Sequence, residues 1–326
     1  MKPKIQKFMP EESAEEIFQR GEDCYYNEDY EKAVYWYQKA AEQGNAEAQY
    51  NLGYCYRRGN GIEQNYEKAV YWYQKAAEQG NARAQNNLGV CYKSGQGTEQ
   101  NYEKAVYWYQ KAAEQGDDFA QNNLGCCYQF GEGIEQNYEK AIYWYQKAAE
   151  WGNAKAQYNL GQLYRLAMQD YKKAVYWYQE AAEQGLAAAQ NNLACCYEIG
   201  NGVKQDYEKA VYWYQKSSEQ GHTLAQDALA FFYETGKGTE RNPEKAVYWY
   251  QKAAEQGQKE AQCHLARCYE IGIGTEKNWM KAFQWYMKSA EQGNPDAQYR
   301  LALCYEYQTG TEKSYINAVY LHQIQK

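Results

Sequence analysis

Residues that usually carry chemistry are scarce in this chain. Only three histidines occur, His222, His264 and His322, and the ten cysteines contain no C-x-x-C. That speaks against a metal centre built from paired ligands. No S-x-x-K stands anywhere, so that nucleophile–base pairing is missing. No run of 18 apolar residues exists, as a membrane span would need. The opening MKPKIQKFMPEESAEEIF has no apolar stretch of the secretory type. Four prolines in 326 residues leave no obvious linker. Positive charge is also short: 35 Lys and Arg face 42 Asp and Glu, for a net charge of −7. General nucleic-acid binding rests on neutralising phosphates and is not expected. What remains is a cytoplasmic chain with no cofactor, no metal, no nucleic acid and no membrane.

What is present is repetition. Asn65 to Gln100 reads NYEKAVYWYQKAAEQGNARAQNNLGVCYKSGQGTEQ and starts again at Asn101 almost letter for letter. Trp36, Trp72, Trp108, Trp144, Trp177, Trp213, Trp249 and Trp285 mark the beat, 36 residues apart except for 33 between Trp144 and Trp177. A fixed period of this size predicts stacked repeats. Each period holds two helical patterns. From Tyr66 to Gln79 the apolar residues Ala69, Val70, Trp72, Tyr73, Ala76 and Ala77 share an arc of roughly 160°, wide enough for two neighbours. Asn65 and its counterparts Asp29, Asn101, Asn137, Asp170, Asp206, Asn242, Asn278 and Ser314 are all capping residue types. Gly80 is placed to end the helix with a positive φ. The other pattern, Ala46 to Arg58 behind an Asn45 cap, puts Ala48, Leu52, Cys55 and Tyr56 on one face. Gly53 there lets a neighbouring helix approach. Gly59-Asn60-Gly61 turns the chain into the next helix. One such hairpin cannot bury its own apolar face, so it must stack on the next.

These residues resemble the SEL-one-like repeat, a relative of the tetratricopeptide repeat. The matching features are A-x-x-x-L-G-x-x-Y (Ala48, Leu52, Gly53, Tyr56), G-x-G (Gly59, Gly61) and K-A-x-x-W-Y-x-K-A-A-x-Q-G from Lys68 to Gly80. The resemblance runs from about Glu11 to the C-terminus. The first unit, with Gly21 nine residues before Tyr30 and no G-x-G, looks like an ordinary tetratricopeptide repeat. The 33-residue unit has Leu166-Ala167-Met168 in place of its G-x-G. The expected fold is all-α, a right-handed α-solenoid of about nine stacked helix-turn-helix repeats of 33–36 residues. Residues 1–10 are expected to form a disordered lead, and 11–326 a single repeat domain. Its units are 11–43, 44–79, 80–115, 116–151, 152–184, 185–220, 221–256, 257–292 and 293–326.

Cys55, Cys91, Cys127, Cys196, Cys268 and Cys304 share one repeat position, spaced too widely for disulfides, and read as small core side chains. Some secreted relatives pair cysteines flanking the glycine between units; Ala41 and Ala48 stand there in this chain.

In tetratricopeptide-like superhelices the first helices line the concave face, and the resemblance carries this over. The groove would then present Asn51, Asn87, Asn123, Asn159 and Asn192, followed by Ala228, His264 and Arg300. Beside them stand Tyr50, Asn86, Asn122, Tyr158, Asn191, Asp227, Cys263 and Tyr299. Carboxamides both donate and accept, so such a ladder could hold an extended peptide backbone. A groove-edge position reads Arg57, Lys93, Gln129, Arg165, then Glu198, Glu234, Glu270 and Glu306. A groove basic toward one end and acidic toward the other would orient a peptide and speed its capture. Phe130, Leu166, Ile199, Ile271 and Tyr307 add an apolar strip. Tyr35, Tyr71, Tyr107, Tyr143, Tyr176, Tyr212 and Tyr248 line the opposite face among Lys and Glu.

The expected function is a non-catalytic interaction scaffold that captures a peptide or protein segment in the groove. The end units also offer surfaces for end-to-end self-association. Near-identity of the units beginning at Asn65, Asn101 and Asn137 raises an alternative, an engineered or consensus-like array without an evolved partner. Some relatives have been described as β-lactamases, which leaves an enzyme as the remaining alternative. The G-x-G turns follow no strand and are not phosphate loops.

Overall fold

The computed structural model describes residues 12–306. The lead at 1–10, the Ser314 cap, Tyr307 of the apolar strip and the closing helix lie outside the described residues. Among those described, every regular element is a helix. They fall into two compact units, one ending at Ala156 and the other beginning at Gln157.

The first unit holds α1 (Ala14–Tyr26), α2 (Tyr30–Glu42), α3 (Ala46–Arg58) and α4 (Tyr66–Glu78), followed by α5 (Ala82–Ser94), α6 (Tyr102–Glu114), α7 (Asp118–Phe130) and α8 (Tyr138–Glu150). Helix α9 (Ala154–Leu166) contains the division. The second unit continues with α10 (Tyr171–Glu183), α11 (Ala187–Ile199), α12 (Tyr207–Glu219) and α13 (Thr223–Thr235), then α14 (Pro243–Glu255), α15 (Lys259–Ile271), α16 (Trp279–Glu291) and α17 (Pro295–Glu306). From α1 to α8, and again from α10 to α17, each helix packs on the one before and the one after. The expected helix pairs are therefore present.

The local signals work as the residue types dictate. Asn65 accepts from the Lys68 N–H, and Asp29, Asn101, Asn137, Asp170, Asp206, Asn242 and Asn278 do the same for their helices. At the far end of α4, the Asn81 N–H reaches the Ala76 carbonyl at 3.1 Å and the Gly80 N–H the Ala77 carbonyl at 3.0 Å. That is a Schellman closure, with Gly80 at φ +94°. Helix α11 lacks a side-chain cap because Leu186 stands at its N-cap. His222 caps α13, its Nδ1 accepting from the Ala225 N–H at 3.3 Å, and burial holds its pKa down.

The core of each repeat centres one residue after the tryptophan. Tyr37, Tyr73, Tyr109, Tyr145, Tyr178, Tyr214, Tyr250 and Tyr286 are essentially without solvent contact, whereas Trp72 is half-buried. A ring of this kind buries roughly 150–250 Å², so each contributes at most about 4–6 kcal/mol at ~25 cal/mol per Å². Gly53 makes room for this ring: a Cβ there would stand 2.8 Å from Tyr73 and 3.2 Å from the Ala69 carbonyl. The second glycine of each G-x-G is more than a turn residue. A Cβ on Gly61 would lie 2.2 Å from the carbonyl carbon and oxygen of Tyr30, in the preceding repeat. Backbone meets backbone there, and only glycine fits.

Candidate functional site

The groove-edge position of the first helices faces the buried tyrosine of its own repeat. In the second unit the Tyr214 hydroxyl donates to Glu198 at 2.6 Å, Tyr250 to Glu234 at 3.0 Å and Tyr286 to Glu270 at 2.6 Å. In the first unit Tyr145 donates to Gln129 at 2.7 Å. Burial, with neighbouring carboxylates or thiols, pushes these hydroxyls far above their ordinary pKa. Where the position is Arg165, burial raises Tyr178 and the guanidinium opposes it, leaving it at about 12.

The charges expected to make the groove basic at one end and acidic at the other are therefore partly engaged within the fold. The Glu234 side chain is 12% exposed and receives Arg267 on both carboxylate oxygens, at 2.5 and 2.7 Å. Arg300 reaches Glu270 at 3.5 Å. Lys93 is paired with Glu132 at 2.5 Å. Glu306 is exposed. Of the four residues Arg57, Lys93, Glu234 and Glu270, only Arg57 has no ion pair among the described residues.

The asparagine ladder is also less open than its sequence suggests. Asn122 and Asn191 are buried, at 8% and 6% exposure. Asn51, Asn86, Asn87, Asn123, Asn159 and Asn192 are half-buried. Several are spent between repeats: Asn51 donates to Glu22 at 2.7 Å and Asn123 to Asn86 at 2.9 Å. Asn191 donates to Asn192 at 3.3 Å. Asn87 sits against the Tyr50 hydroxyl, and Asn192 against Tyr178. A carboxamide already satisfied by its neighbour has less to offer a ligand. By contrast Phe130, Leu166, Ile199 and Ile271 are open, at 62, 62, 64 and 48% exposure.

In the first unit a recess of about 460 Å³ opens between the first helices α3, α5 and α7. Arg57, Arg58 and Arg83 line it with Tyr50, Tyr54, Asn86 and Asn87. None of the three arginines forms an ion pair among the described residues; Arg57 faces the Tyr73 hydroxyl, Arg58 lies 5.7 Å over the Tyr54 ring and Arg83 is near enough to Asp117 to favour its charged form. Asp117 and Asp118 stand at the far wall, where Asp117 caps α7 and Asp118 accepts from Asn153 at 2.8 Å. Sequence reading named Arg57, Asn86 and Asn87 but missed Arg58 and Arg83, which stand at positions that vary from repeat to repeat.

The opposite face carries the exposed tyrosines in a regular pattern. Tyr71 meets Trp72 edge-on with centroids 5.0 Å apart, and the Lys75 ammonium lies 5.8 Å over the Tyr71 ring. None of the ten cysteines forms a disulfide, and the six core ones are buried as expected.

Comparison with known sequences explains the periodicity. The sequence model of the Sel1 repeat matches nine consecutive segments: 14–45, 46–81, 82–117, 118–153, 154–186, 187–222, 223–258, 259–294 and 295–324. The chain is a Sel1-repeat protein. Among solved structures it is similar to a protective antigen of uropathogenic Escherichia coli displaying an SLR fold. The two share 38% identity over 95% of this chain and 68% of that one, with a TM-score of 0.83. A Sel1 repeat protein from Oxalobacter formigenes is 28% identical over 99% of this chain and 93% of its own, with a TM-score of 0.69. A search of curated proteins found no match. Sel1-repeat proteins generally serve as protein-interaction scaffolds and are typically non-catalytic. No helix among the described residues is long and apolar enough to cross a membrane.

Two features belong to this Sel1-repeat protein's own architecture. The unit that reads from sequence as an ordinary tetratricopeptide repeat is matched as Sel1, and Gly21 there admits the Tyr37 ring as Gly53 admits Tyr73. A glutamine bridge that sequence reading missed links successive repeats. Gln85 donates to the Ala77 carbonyl at 3.0 Å and accepts from Gln115 at 2.7 Å. The same bridge joins Gln79 to Gln49, Gln184 to Gln157, Gln220 to Gln190, Gln256 to Gln226 and Gln292 to Gln262. The recurrence of glutamine three residues before each core leucine was the available signal.

Proposed function

We propose that the protein is a non-catalytic adaptor whose first-helix face holds an extended, acidic segment of a partner protein. The reading calls for no cofactor and no nucleic acid. The observation that carries it is the 460 Å³ recess with Arg57, Arg58 and Arg83 at its wall. Guanidinium groups recognise carboxylates through paired N–H donors, and three that form no ion pair among the described residues keep donors for a carboxylate ligand. Asn86 and Asn87 lie beside them, within reach of a peptide backbone, and Tyr50 and Tyr54 provide flat apolar walls. Asp117 and Asp118 would disfavour acidic residues at the far wall, which gives the segment a direction.

The test is fluorescence anisotropy with three labelled peptides of equal length, one acidic, one neutral and one basic, titrated with the full chain. The acidic peptide is expected to bind best and to weaken as salt rises. Arg57→Glu with Arg83→Glu should weaken it by about tenfold or more, the equivalent of ~1.4 kcal/mol. Circular dichroism checks that the variant folds. Equal binding of all three peptides, or a variant with unchanged affinity, would overturn the reading.

A further inference from the structure

The glutamine bridge is broken once within the first unit. Gln121 is 3% exposed and donates to the Ala113 carbonyl at 3.2 Å, as its counterparts do. Its Oε1 has no hydrogen-bond partner. The cause is a single substitution in the repeat pattern: Trp151 stands where Gln79, Gln115, Gln220, Gln256 and Gln292 supply the donor. A buried acceptor without a donor is costly to leave unmade.

Trp151 does not compensate by packing. It is 76% exposed, at the C-cap of α8. With Trp144, Tyr143, Glu114, Lys147 and Gln121 it lines a recess of about 330 Å³. Tyr143 and Trp144 meet edge-on at 5.0 Å, and the Lys147 ammonium lies 5.6 Å over the Tyr143 ring. The repeat's ordinary pair of aromatic rings thus gains a third, together with a carboxylate and an orphaned carboxamide oxygen.

We propose that this recess is a docking point for an arginine side chain of a partner protein. The missing partner of Gln121 is an N–H donor, and a guanidinium brings five with no acceptor to conflict. Its plane stacks on indole faces, where an ammonium makes only a point contact. Glu114 supplies the matching charge. A carboxamide could replace the lost bond but brings no charge to Glu114, which otherwise accepts only from Gln110 at 3.0 Å among the bonds described, and a lysine could pair with Glu114 but not stack. Because Oε1 is buried, reaching it requires the exposed Trp151 ring to move, and the same ring then stacks on the guanidinium plane. This site lies at the repeat edge and is independent of the arginine-lined recess of the first helices.

The experiment follows the indole N–H signals of the full chain by NMR during titration with the N-acetyl amides of arginine, lysine and citrulline. Trp151→Gln restores the residue found in the other repeats, so it folds, and the signal it removes identifies Trp151. The arginine compound is expected to shift the Trp151 and Trp144 signals saturably, with millimolar affinity. Lysine and citrulline should bind at least about fivefold more weakly. Trp151→Gln should abolish the shift at Trp144, and Glu114→Gln should erase the preference for arginine over citrulline. Equal shifts with all three compounds, no shift with arginine, or a Trp144 response that survives Trp151→Gln would each overturn the proposal.

Discussion

Replacing Gly97 and Gly80 separately by alanine tests whether repeats are held together by backbone contact or by turn geometry alone. Both glycines have positive φ, +73° and +94°. An alanine in this left-handed region costs about 1 kcal/mol, partly offset by the lower entropy of the unfolded chain. The surroundings differ. A Cβ on Gly80 would meet nothing within 4 Å, whereas one on Gly97 would stand 2.2 Å from the Tyr66 oxygen and 2.3 Å from its carbonyl carbon. Ordinary contact between carbon and oxygen needs roughly 3.3 Å, so the turn after α5 and the start of α4 must separate by about 1 Å. Overpacking of this kind costs about 1–3 kcal/mol. Gly80→Ala is therefore expected to cost ~1 kcal/mol and Gly97→Ala about 3 kcal/mol. Repeat arrays need not unfold in one step. The comparison is best made by hydrogen exchange across residues 66–100 alongside urea unfolding. Equal losses for the two variants would refute the reasoning, since strain at φ alone would then explain both.

Three further outcomes follow from the same geometry. Gln85→Ala removes the bonds to Ala77 and Gln115 and should lower stability by about 1–3 kcal/mol, read as a shift in the urea midpoint; exposed Gln115 can turn to water, which keeps the loss at the lower end. Eight buried core tyrosines have raised pKa values. Both states keep them neutral below about pH 10, and above it the unfolded chain ionises first. Stability should thus be insensitive to them at neutral pH and fall as pH rises past 10, with tyrosinate absorbance appearing together with loss of helix. Burial holds the Cys55 and Cys268 thiols at about 12, so a thiol reagent at mildly alkaline pH should label half-buried Cys24 before any core cysteine. Labelling of Cys55 in the folded protein would contradict the core assignment.

The helices were legible because each of their signals is local. A short polar residue at the cap, a glycine past the end and a 3.6-residue apolar period act within one turn, and thirty-six-residue repetition printed them many times. Contacts beyond a single helix were not legible in the same way. The Gln85–Gln115 bridge joins residues thirty apart, and Gly97 meets Tyr66 across a repeat boundary. Nothing in either segment alone announces its partner. The core tyrosine was similarly masked by tryptophan, since a periodic sequence shows which residues recur and not which of two adjacent rings turns inward.

Sequence repetition also drew attention to residues that the scaffold already uses, and the reason is physical. A residue that recurs in every unit has a partner that recurs with it. The asparagines therefore bridge neighbours, and Glu198, Glu234 and Glu270 hold tyrosine hydroxyls rather than wait for a ligand. The sign change from Arg165 to Glu198 coincides with Gly161 giving way to Ala194 beneath the tyrosine ring, and Ala230 and Ala266 accompany Glu234 and Glu270. That pairing belongs to the support of the core ring. Unspent chemistry is found where one unit departs from the others and its neighbours have no matching partner. Arg58 and Arg83 form no ion pair among the described residues, and Trp151 leaves an acceptor without its donor. In a repeat protein the consensus builds the scaffold, and the departures are the places where a partner can be recognised.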